Sequence, residues 1–230
     1  MGICTGGVMS RRAAWLLGLM FLGLAWRTAV GQTEHQQHHP PESTTSYIQA
    51  LEDPERAAWQ QPEQVIAKLD LKPGDEVADL GAGSGYFTLR MAREVGQGGR
   101  VYAVDTNPEM LRDIEKRAEE EQLENIQTIL ADPNDPKLGS QSVDLIFICD
   151  VLHHISHRER YYPLLARALR LGGRLVDIDF YKRNLPVGPP VEMKIAKKDA
   201  IKEIEPAGFD LVHDYDFLKY QYFLVFELAE

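Results

Sequence analysis

Cysteine is scarce: Cys4 and Cys149 are the only two in 230 residues. Cys4 falls in an N-terminal segment expected to be removed and Cys149 in an apolar, core-like run, so the mature chain can close no internal disulfide. That excludes a disulfide-stapled scaffold. Basic residues are also few, 25 Lys and Arg against 35 Asp and Glu, a net charge of −10. Because phosphate contacts dominate affinity for nucleic acid, this balance argues against an RNA or DNA substrate. The chain has no internal repeat. Its longest uncharged, mainly apolar stretch covers residues 13–26, short of the roughly twenty residues that span a membrane.

That stretch reads as the apolar region of a signal peptide. Arg11 and Arg12 precede it, and Ala29-Val30-Gly31 offers small residues at a cleavage-like spacing. Residues 1–31 are therefore expected to be a signal peptide or an N-terminal anchor, with the protein exported or tethered, and any membrane association confined to this segment. Losing Arg11, Arg12 and Arg27 with no acid leaves 22 basic against 35 acidic residues, a net of −13. Residues 32–46 are polar and contain two prolines, the composition of a disordered linker. His35, His38 and His39 lie there as a solvated tail, and no metal set is expected. The domain proper is expected over 47–230, with a helical lead-in at 47–70.

The most informative stretch is Val77-Ala78-Asp79-Leu80-Gly81-Ala82-Gly83-Ser84-Gly85-Tyr86-Phe87-Thr88. A short apolar strand runs into three glycines at two-residue spacing, and a helical pattern resumes at once. Glycines permit positive φ and close backbone approach, while the helix start presents unpaired N–H groups. The same pattern also serves close packing of a strand against a helix. As a ligand site it suits a nucleotide-type cofactor, and the spacing distinguishes which one. Dinucleotide turns read G-x-G-x-x-G; here the run is G-x-G-x-G, preceded by Asp79, an acid better matched to a cationic or amino-bearing ligand than to a phosphate. An NAD-dependent oxidoreductase is the rival enzyme class, and a non-catalytic exported nucleoside-binding protein is the other alternative.

The glycine run resembles motif I of the class I S-adenosylmethionine-dependent methyltransferases. Three further elements follow in the order of that family: Val101-Tyr102-Ala103-Val104-Asp105, a strand ending in an acid; Val143-Asp144-Leu145-Ile146-Phe147-Ile148-Cys149-Asp150 with Val151-Leu152-His153-His154 behind it; and Leu169-Arg170-Leu171-Gly172-Gly173-Arg174-Leu175-Val176-Asp177-Ile178, matching a helix end, glycine turn and fifth strand. The second of these is similar to the small-molecule branch related to the ubiquinone and menaquinone C-methylating enzymes. The resemblance covers roughly residues 60–230. It implies S-adenosylmethionine as cofactor, held by Asp79, Gly81, Gly83 and Gly85, with Asp105 on the ribose and Asp132 near the adenine amino group. By position alone Asp105 could equally be a turn or helix-cap residue, since Asn107-Pro108 starts a helix directly after it. The Asn-Pro-Pro-aromatic motif of many N-methyltransferases is missing after Ile148, and the cysteine count argues against arsenite methylation.

The elements alternate: helix to Val95, strand 101–105, helix 108–121, strand 126–130, strand 144–149, helix 158–170, strand 174–180, a helix around 196–205, then strand-like 210–215 and 220–226. This predicts a doubly wound α/β fold with a mostly parallel seven-stranded sheet and, by the resemblance, an antiparallel last strand. Methyl transfer from a sulfonium is a direct displacement, so alignment in a dry cavity does most of the work, and a base is needed only if the acceptor carries a proton. His153 and His154 are the candidate bases, on the side of a small-molecule acceptor; either could instead cap or pack at the next helix. Tyr86 could face a sulfonium through its ring, and the Pro- and Gly-rich 181–190 segment reads as a substrate lid or a mere connection.

Overall fold

The computed structural model describes residues 43–229. The expected signal peptide or anchor, the histidine-bearing tail and most of the expected linker lie outside the described residues. Three short helices come first: α1 (Thr44–Leu51), α2 (Arg56–Gln60) and α3 (Pro62–Leu69). The first starts inside the segment expected to be a disordered linker. Its cause is local, because Ser43 and Ser46 form a capping box, each side chain accepting from the other's backbone N–H.

Seven strands then form one sheet: β1 (Glu76–Leu80), β2 (Arg100–Asp105), β3 (Ile126–Leu130), β4 (Val143–Cys149), β5 (Leu169–Phe180), β6 (Phe209–Tyr215) and β7 (Gln221–Leu228). Their order is β3-β2-β1-β4-β5-β7-β6. The first five are parallel, and β7 is antiparallel to both neighbours. The helices α4 (Thr88–Val95), α5 (Pro108–Glu120), α6 (Arg158–Ala168) and α7 (Lys197–Ile204) fill the crossovers. One face carries α3 and α4, with Val65, Leu69, Met91 and Val95 against Val77, Phe147 and Val176. The other carries α6 and α7, with Tyr162, Leu165 and Ile204 against Ile146, Leu175 and Phe226. Covered on both faces, β4 becomes an almost unbroken apolar run.

Strand order reverses between β1 and β4, so a crevice opens at their carboxyl ends, the usual ligand position in such sheets. One boundary differs from expectation. Leu169 already pairs with Val143, and the next pairing joins Arg174 to Leu145, so residues 170–173 bulge out within β5 instead of forming a separate turn before it. Ser142 N donates to Ala168 O at 2.8 Å, which draws the chain into the sheet directly at the helix end.

Candidate active site

The glycine turn is built as a backbone cradle. Gly81 has φ +74°, and a Cβ there would lie 2.3 Å from Val151 Cγ2; at Gly85, φ +80°, it would meet Leu89 at 2.7 Å. Neither position admits a side chain without strain. The ends of β2 and β4 close in on the turn. Asp105 accepts from Gly83 N with Oδ2 at 2.9 Å and from Asn107 N with Oδ1 at 2.8 Å. It is thus both a turn residue and a tether of the glycine loop, partly exposed, with lone pairs left for a hydroxyl donor. Asn107 itself caps α5.

Beneath the loop, Asp79 is buried and accepts from Thr88 Oγ1 at 2.5 Å. Burial pushes its carboxyl up to about 7; the Thr88 hydrogen bond and Arg56 work against this, and the charge of Asp105 adds to it. Asp150, at the tip of β4 with φ +61°, behaves alike: burial first and the charge of Asp179 second push it up to about 7. Gln221 Nε2 donates to its Oδ1 at 2.6 Å, and Gln60 Nε2 donates to Gln221 Oε1 at 2.9 Å. Gln60 also lies 3.4 Å from the Cys149 sulfur. Cys149 is a free thiol, its ionisation pushed up by burial.

Over the crevice lies α1. Leu51 Cδ1 would be 3.1 Å from a Cβ at Gly83. Glu52, the C-cap of α1, accepts from Ser84 Oγ at 2.6 Å and from both terminal nitrogens of Arg117 at 2.9 and 3.1 Å. The ionisation of the Tyr47 hydroxyl on α1 is pushed up by burial first and then by the charge of Asp150, with Arg56 opposing and Asp105 adding to it. None of this clasp was foreseen, because it joins residues 65 apart in sequence.

The two histidines part company. His153, in a 3-10 turn (Leu152–His154), sets Nδ1 at 2.8 and 2.9 Å from the two carboxylate oxygens of Asp179 on β5, with side chains 2% and 0% exposed. His154 is exposed on its outer side, its ring centroid 4.2 Å from that of His153, and its ionisation is pushed down by partial desolvation and by His153. Both line a cavity of about 640 Å³ that reaches Arg158, Lys202 and Glu203. Asp179 escaped the sequence reading. Its one visible signal was Asp177 and Asp179 alternating with apolar residues over 175–180.

Asp132 is not drawn in with the other acids. It sits just past β3 with its side chain 64% exposed, paired with Lys137 at 3.0 Å. Nor does Tyr86 offer its ring to a ligand: the guanidinium carbons of Arg56 and Arg90 each lie 4.2 Å from its centroid, so the sulfonium reading of this residue is corrected. The 181–190 segment is irregular and tied down, with the largely buried Lys194 donating to Arg183 O at 2.9 Å and Gly188 seated against the Phe180 ring. Trp59 packs on Phe180 from the other side of the strand end, ring centroids 5.7 Å apart. Among the described residues no group of three or more metal-ligating side chains comes together.

A family model described as a methyltransferase domain matches residues 71–207. The ubiquinone/menaquinone biosynthesis C-methyltransferase UbiE of Francisella tularensis subsp. novicida is 28% identical over 158 residues, 68% of this chain and 62% of that protein. An arsenite methyltransferase of Halobacterium salinarum is 30% identical over 109 residues, 47% of this chain and 28% of its own length. The chain thus spans less than two thirds of the curated relatives it matches. Among solved structures, a SAM dependent methyltransferase from Aquifex aeolicus superimposes with a TM-score of 0.76 at 27% identity, covering 81% of this chain and 99% of that one.

Proposed function

Since the chain belongs to the methyltransferase domain family, whose cofactor is S-adenosylmethionine, we propose that it methylates a small-molecule acceptor and that His153 takes the acceptor's proton where there is one. The observation that carries this reading is the convergence at the carboxyl ends of β1, β2 and β4: a tightly packed glycine turn at positive φ, the Asp105 carboxylate tethered to it, and a buried histidine just beyond β4.

The residues fit the cofactor. Gly81, Gly83 and Gly85 take positive φ and let Val151, Leu51 and Leu89 pack hard against the loop, which fixes the turn beside Asp105, and Asp105 retains acceptor capacity for ribose hydroxyls. Asp79, held up to about 7 by burial, would be drawn into its ionised form by a cationic ligand above it. Asp132, on the next strand end, pairs with Lys137 through Oδ2 and would offer Oδ1 to an adenine amino group. When bound, S-adenosylmethionine supplies an electrophilic methyl group on a sulfonium. The chain's own part is to align the acceptor, exclude water and hold the proton at His153.

Two comparisons of chemistry support a choice of acceptor class. The UbiE relative methylates carbon in quinone biosynthesis, by its name, and a phenol- or quinol-like acceptor would present the acidic hydroxyl that a histidine base serves. Arsenite chemistry finds one cysteine among the described residues, partly buried and with its thiolate disfavoured by desolvation. We extend the proposal to the N-terminus, with residues 1–31 as an export signal or anchor. The test is a panel of thiols, phenols and quinol-like compounds screened for S-adenosylhomocysteine release, then His153→Ala on the best acceptor. Unchanged S-adenosylhomocysteine affinity with turnover down about 10²–10⁴-fold is expected; full turnover would remove His153 from the chemistry, and lost cofactor affinity would place it on the wrong side of the site.

A further inference from the structure

We propose that Asp179 is the positioning residue of the acceptor-side base, fixing the tautomer and orientation of His153 so that the two act as one buried pair. The inference rests on the reading of His153 as the base.

Along β5, Leu175, Asp177 and Asp179 share the face turned towards α6 and α7, whereas Val176 and Ile178 pack on the opposite layer. Two acids on a fully buried face are costly, and the structure treats them differently. Neither Asp177 oxygen has a hydrogen-bond partner at normal geometry, and the Asp177 carboxyl is pushed well above the carboxylate range by burial first and by the charge of Asp179 second. Asp179 faces His153 with both oxygens, and its Oδ1 also accepts from the Phe180 backbone N–H at 2.7 Å, which fixes its rotamer. Asp150 from the tip of β4 and Lys194 from beyond the 181–190 segment also feel Asp179; His154 feels both members of the pair, and Arg56 from α2 acts on Asp150.

A carboxylate offers acceptors alone, so the ring must place its proton on Nδ1 and keep its lone pair at Nε2. An acceptor's O–H or N–H bond would then break towards Nε2, its electron pair would form the new bond to the methyl group from the heteroatom or from a conjugated ring carbon, and the pair of the broken carbon–sulfur bond would stay on sulfur. The imidazolium formed lies against Asp179 in a dry setting, where the attraction is stronger than in water. His153 afterwards gives the proton to solvent. Because Nδ1 is spoken for, His153 cannot serve as a structural donor on both sides and is left with one functional nitrogen, on a residue that lines the 640 Å³ cavity.

The experiment uses the chain with ¹⁵N-labelled histidine, without ligand, at a pH where the rings are neutral. Nitrogen shifts are expected to show His153 protonated at Nδ1; a wild-type ring protonated at Nε2 overturns the proposal with no variant needed. Asp179→Asn, whose amide can donate to Nδ1, should shift the proton to Nε2 and lower kcat about 10²–10⁴-fold with acceptor KM and S-adenosylhomocysteine affinity held within twofold. Asp177→Asn, equally buried on the same strand face, should change neither tautomer nor kcat, and a matching loss there would reduce Asp179 to general packing. Full turnover in Asp179→Asn beside a crippled His153→Ala defeats the pairing alone, whereas full turnover in His153→Ala defeats the base itself.

Discussion

Asp79 and Asp150 both titrate near neutrality because burial penalises their charged forms before any neighbour acts. Their folded values lie above the ordinary 3.8, so the folded state binds more protons than the unfolded one. The stability this gives is fully present below about pH 4 and is lost as pH rises through 7, on the order of a few kcal/mol for each acid. Thermal stability should therefore fall between pH 5 and pH 8, and Asp79→Asn should flatten the fall, as read by calorimetric melts; an equal slope in the variant would deny Asp79 its raised value. A cation arriving beside these acids should also expel protons. Cofactor titrations at pH 7 in buffers of different ionisation enthalpy should then show net proton release. At Asp105, Asn substitution should weaken cofactor binding by about 1.5–3 kcal/mol, since a charged acceptor is lost. Asp132→Ala should cost less than about 0.5 kcal/mol, as an exposed pair contributes little; the reverse ranking would move the nucleoside towards β3.

At the scale of elements, α1 is the piece most ready to move. It buries none of its own residues and is held over the glycine loop by Leu51 and by the Glu52–Arg117–Ser84 clasp. Glu52→Gln should speed S-adenosylhomocysteine release about three- to tenfold, a loss near 1 kcal/mol for a half-buried pair, in stopped-flow displacement. An unchanged release rate would mean that α1 does not cover the exit. The strands and helices from α3 to β7 were legible because their periodicities and turn residues agree: the Pro62, Gly96 and Gly208 breaks all fall at element ends. Where reading failed, the cause was tertiary. Gly172-Gly173 signals a turn locally, yet sheet pairing begins at Leu169 and absorbs the glycines as a bulge. The alternation of Asp177 and Asp179 was visible, but which acid meets a histidine depends on a turn 26 residues away. The α1 clasp likewise depends on Arg117 from the far side of two strands.

For the whole molecule, the net charge of −10 is expected to weaken association with polyanions. No helix among the described residues is long and apolar enough to cross a membrane. An export signal over 1–31 is tested by intact mass of the protein recovered from its native host, which should begin at Gln32 if cleavage follows Gly31. Cofactor choice is the central matter, and it rests on the G-x-G-x-G cradle above Asp79 and beside Asp105. The most direct measurement is isothermal calorimetry of the purified chain against S-adenosylmethionine, S-adenosylhomocysteine and NAD. Saturable binding of the first two at one site per chain, with no heat from NAD, is the predicted result; tight NAD binding with no response to S-adenosylhomocysteine would contradict it.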